Sequence, residues 1–187
     1  MYLNTVRMLS QDIGLSDVFN ESLVYRIEHL SPEKDSLIAI SNDTYFDIIR
    51  YLERNDRPST LAIIAAGGWI ECMYLVVNLT DFEEGSLTIQ KIANQKLIIS
   101  NLWKFLEQNN DIPTIASLME DIKDIVTIYK NLEVVIDESQ VPKTVDNEKI
   151  IVVGGSNKIK ITEAEYNDLK KVIIATRNKL TINNVTL

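Results

Sequence analysis

Ile115, Leu118, Ile122, Ile125, Tyr129 and Leu132 stand three, four, three, four and three residues apart. An α-helix turning once every ~3.6 residues brings these positions onto one continuous face, whereas a strand scatters them over both of its sides. The run is shorter than three heptads, so it predicts one wall of an intramolecular bundle. The competing use of the same seam is a structural or oligomer-forming coiled coil. A helix that must bury such a face needs other helices to cover it, and the rest of the chain has to supply them.

Helix-start signals recur where those helices are needed. Ser31-Pro32, Asp56-Arg57-Pro58 and Asp111-Ile112-Pro113 each precede an apolar-periodic segment. Proline in the first turn loses no helical hydrogen bond, because that amide has no partner inside the helix. Ser16 is expected to cap a helix carrying Val18, Phe19, Leu23 and Ile27. Asp81 with Glu84 reads as a capping box ahead of Leu87, Ile92, Ile99, Leu102 and Leu106. The segment from Ser59 to Leu79 is apolar nearly all round, which places it at the centre of the fold. Residues 3 to 10 enter helical periodicity at once, with no capping residue ahead, and this points to further residues upstream.

The texture changes at Glu133. Val134-Val135-Ile136 is followed by a stretch bearing proline and charges, then Ile150 to Val153, Gly154-Gly155-Ser156-Asn157 and Lys158-Ile159-Lys160-Ile161. Alternation around a glycine-rich turn predicts a β-hairpin pairing Ile150 to Val153 with Lys158 to Ile161. Thr162 with Glu165 forms a second capping box, opening a last helix to about Lys179. The expected fold is mainly α: a bundle of six to seven helices with a small C-terminal β-hairpin, as one domain over residues 1–187, with the irregular stretch and the hairpin in 133–161.

Composition narrows the function classes. Nineteen Lys and Arg against 27 Asp and Glu leave a formal charge of -8, which repels phosphate backbones, so no nucleic-acid partner is expected. The basic residues from Lys158 to Lys179 alternate with Glu163, Glu165 and Asp168 and read as a solvated face. The most apolar run, Leu61 to Leu79, is interrupted by Gly67, Gly68, Glu71 and Asn78, and no membrane span is expected.

Few residues are available for chemistry. His29, the one histidine, rules out paired-histidine metal motifs and reads as a partner of the carbonyls at its helix end. Cys72, in the most apolar helix, is expected to be buried and inert. The Gly154-Gly155 turn lacks phosphate-loop spacing and is followed by a strand pattern. The acidic groups Asp81, Glu83, Glu84 and Glu120, Asp121, Asp124 have no calcium-loop spacing. Neither metal nor cofactor is expected, and no catalytic residue is assigned.

Gly67-Gly68-Trp69-Ile70-Glu71 is the one unusual stretch, since glycine inside a helix costs about 1 kcal/mol relative to alanine. Close approach of a neighbouring helix is one account. The other is a ligand pocket with Gly67 and Gly68 opening the space, Trp69 as a wall and Glu71 as a charge.

These residues, with Asn55-Asp56-Arg57, Lys34-Asp35-Ser36-Leu37 and the Arg177-Asn178-Lys179 tail, resemble an uncharacterised family of helical lipoproteins from Bacteroidetes. The resemblance implies a periplasmic cell-envelope protein tied to the membrane by an upstream lipid. It carries over no catalytic residue, ligand or cofactor. The expected role is therefore non-enzymatic binding of a protein or small-molecule partner, the alternatives being an enzyme using acidic residues near Glu71 and the oligomerisation module of the Ile115 to Leu132 seam.

Overall fold

A computed structural model describes residues 2–30, 34–136 and 157–182. Seven helices hold 79% of these residues: α1 (Tyr2–Asp12), α2 (Glu21–Leu30), α3 (Lys34–Arg54), α4 (Pro58–Leu79), α5 (Leu87–Glu107), α6 (Pro113–Asn131) and α7 (Glu163–Ile182). Two short strands, β1 (Val134–Ile136) and β2 (Asn157–Ile159), form an antiparallel pair. The fold class is the mainly helical one read from the sequence. Within it the chain divides into two compact units, Met1–Leu61 and Ala62–Leu187.

In the first unit α2 packs on α3. Two helices end in the same way. The amide of Leu15 donates to the carbonyl of Ser10 at 2.6 Å and that of Gly14 to Gln11 at 2.9 Å. After α3, Arg57 donates to Leu52 at 2.9 Å and Asp56 to Glu53 at 3.2 Å. This pattern closes a helix around one left-handed residue, and both central residues have positive φ: 70° at Gly14 and 51° at Asp56. The cap of α2 is Asn20, whose Oδ1 accepts from the Leu23 amide at 3.1 Å, and not Ser16. Val18 and Phe19 lie in the turn before it. Ser31-Pro32 lies outside the described residues, and α3 is described from Lys34.

The second unit is built on the expected seam. Ile115, Leu118, Ile122, Ile125, Tyr129 and Leu132 are all buried in a core shared by α4, α5, α6, β2 and α7. That seam is used within the chain, because α5 packs on one side of α6 and α7 on another. Two buried tyrosines tie elements together through their hydroxyls: Tyr129 donates to the carbonyl of Ile92 at 3.1 Å and Tyr166 to that of Thr80 at 2.7 Å. Lys96 caps the end of α6, donating to the carbonyls of Lys130 and Leu132 at 2.9 and 2.6 Å. The expected Thr162–Glu165 capping box is present, with reciprocal bonds of 2.8 and 3.3 Å. The box expected at Asp81 and Glu84 is not the start of α5: Ser86 is the cap, accepting from the Ile89 amide at 3.3 Å.

Among the described residues a small antiparallel strand pair lies near the C-terminus. The partner of β2 is β1, with Val134 opposite Ile159 and Ile136 opposite Asn157. The ladder continues with Lys160 donating to Glu133 at 2.9 Å. Val134-Val135-Ile136 leaves the end of α6 with β-branched side chains suited to a pleated surface, and Gln90 holds β2 against α5 through the Ile159 carbonyl at 3.0 Å. The Ile150 to Val153 strand and its Gly154-Gly155 turn lie outside the described residues.

Helix α4 is continuous through Gly67 and Gly68, and it is long and apolar enough to cross a membrane by length and composition. The interruptions that argued against a span in the sequence do not lower its mean hydropathy enough to exclude one. Its inward face, Ala62, Ala66, Ile70, Met73 and Val77, is packed in the core of the second unit. The outward face is not: only 28% of its most apolar window is buried.

Candidate functional site

The glycine pair does not mark a close helix contact. A Cβ added at Gly67 or Gly68 would meet nothing within 4 Å, and both residues are exposed. Their position follows from the helical turn, which puts Gly68 opposite the Ala62–Val77 face and Gly67 to one side of it. The same arithmetic separates the other two candidates, since residues two apart on an α-helix point about 200° apart. Trp69 turns inward, its indole donating to Gln95 Oε1 at 3.1 Å and its ring meeting Tyr129 edge-on at 6.1 Å. Glu71 turns outward to α7, where Arg177 donates to both carboxylate oxygens at 3.0 and 3.3 Å. The Arg177 guanidinium also lies over the Tyr74 ring at 4.6 Å. Its bond to Glu71 holds it charged, above its ordinary value. Trp69 and Glu71 therefore do not share a pocket wall, and the Glu71 carboxylate serves as an inter-helix tie.

Cys72 is exposed, contrary to the buried position expected for it. An all-round apolar helix gives no periodic cue to its inner face, and Cys72 falls on the outer one with Leu75 and Leu79. His29 accepts the expected role at its helix end, its Nδ1 lying 2.9 Å from the Tyr25 carbonyl with the two rings stacked. Among the described residues no three His, Cys, Asp or Glu side chains gather in a way that could hold a metal ion. Asp121, its side chain 13% exposed, pairs with Lys179 at 2.6 Å, which raises the lysine above its ordinary value. These pairs, 106 residues apart for Glu71 and Arg177, join helices that no local spacing relates.

An apolar surface that was not singled out from the sequence lies in the first unit. Nine of the seventeen exposed large apolar side chains among the described residues belong to this unit. A trough of about 300 Å³ runs between α2 and α3, walled by Leu23 and Ile27 on one side and Leu37, Ile40, Tyr45 and Ile48 on the other. The α2 positions are four apart, and the α3 positions repeat every three to five residues, so two helical stripes face one opening. Of these apolar side chains, Leu37 and Tyr45 are the most exposed, at 41% and 50%. The available signal was a helix pair with more apolar residues than one contact between them can cover. A second trough, of about 290 Å³ between α5 and β2, has a full helix on only one side.

Comparison of the chain with protein-family models, with curated proteins and with solved structures yields no match.

Proposed function

We propose that this chain is a non-enzymatic binding protein that holds an amphipathic helix in the α2–α3 trough, acting in the cell envelope as the resemblance to Bacteroidetes lipoproteins implies. The observation that carries the reading is the trough itself: open, apolar, and walled by two helices whose stripes leave room for a third. Residues 37 to 48 of α3 span about 16 Å at 1.5 Å per residue, roughly three helical turns. Helix-in-groove recognition uses this arrangement, with anchors at i, i+3 or i+4 and i+7 on the guest. An open trough encloses a small ligand poorly, because a small-molecule site usually covers most of its guest. Glu71, the acid on which an enzymatic reading rests, is already engaged by Arg177.

A labelled amphipathic helical peptide with leucines at i, i+4, i+7 and i+11 is expected to bind the full chain saturably in fluorescence anisotropy. The double variant Leu37→Asp, Tyr45→Asp is expected to weaken that binding by at least ~tenfold, or about 1.4 kcal/mol. Equal binding by parent and variant would sink the reading. Fractionation of cells carrying the full-length gene tests the envelope assignment, with the protein expected among the membranes.

A further inference from the structure

We draw no further inference here: the strongest candidate, the cleft of about 290 Å³ between α5 and β2 lined by Ile89, Ala93 and Ile159, carries nothing, because its lining mixes Lys158 and Lys160 with Glu84 and nothing in the structure shows what covers it.

Discussion

Gly14 and Asp56 occupy the same place in the same motif, and they differ in what a side chain costs there. Both residues are left-handed, a conformation that a Cβ disfavours by roughly 1–2 kcal/mol and that aspartate tolerates better than most. At Gly14 an added Cβ would also come 3.0 Å from Nη1 of Arg57, which has to shift. Gly14→Ala is expected to cost about 1–2 kcal/mol and Asp56→Gly to be neutral or stabilising, both read from urea denaturation. Tyr129 and Tyr166 add a pH dependence. Burial raises both phenols above their ordinary value near ~10, with Asp81 adding to the effect at Tyr166. Above that value the unfolded chain has lost protons that the folded chain keeps. The stabilisation is thus complete below pH ~10 and declines as pH climbs toward the raised folded values. Tyr129→Phe should cost about 1 kcal/mol at neutral pH through its lost hydrogen bond. It should also lessen the alkaline decline, and an unchanged slope above pH ~10 would show that Tyr129 does not contribute.

At the scale of elements, α4 and α7 show how differently helices are specified. α7 opens on the reciprocal Thr162–Glu165 bonds, so Thr162→Ala is expected to destabilise by about 1 kcal/mol and to fray the first turn in hydrogen exchange. That signal sits within four consecutive residues and is readable directly. α4 has no side-chain signal for which face turns inward, and its exposed glycines contribute nothing to packing. Gly67→Ala and Gly68→Ala should each gain up to about 1 kcal/mol of helix propensity, raising Tm by about 2–4 °C. A fall in Tm for both would mean that the outer face of α4 is covered. The separation of Trp69 from Glu71, by contrast, is legible in the sequence, since a spacing of two on a helix already places them on different sides.

Across the whole molecule, the two units are unequally consolidated. Among the described residues the second unit contributes 23 side chains to one buried cluster, while Leu15, Leu23, Ile40 and Leu52 are the buried apolar residues of the first. Apolar burial is the main favourable term in folding, so the first unit should open at lower free energy. Native-state hydrogen exchange is expected to give α2 and α3 less protection than α5 and α6. Equal protection in both would show that the exposed surface of the first unit is covered in solution.

Local chemistry decides the features that depend only on neighbours along the chain: the helical period of α6, the proline-led starts of α4 and α6, the cap of α7 and the carbonyl partner of His29. A capping bond or a turn of helix spans at most a few residues, so its cause lies beside it in the sequence. The choice between Ser16 and Asn20, or between Asp81 and Ser86, already exceeds that reach, because several residues can cap and packing selects the one whose helix buries its face. The tie from Glu71 to Arg177, the pairing of β2 with β1, the outward turn of Gly67, Gly68 and Cys72, and the unfilled trough of the first unit were decided by tertiary structure alone. Each depends on which surfaces meet across long stretches of chain, and apolar attraction has no direction that a sequence pattern could encode.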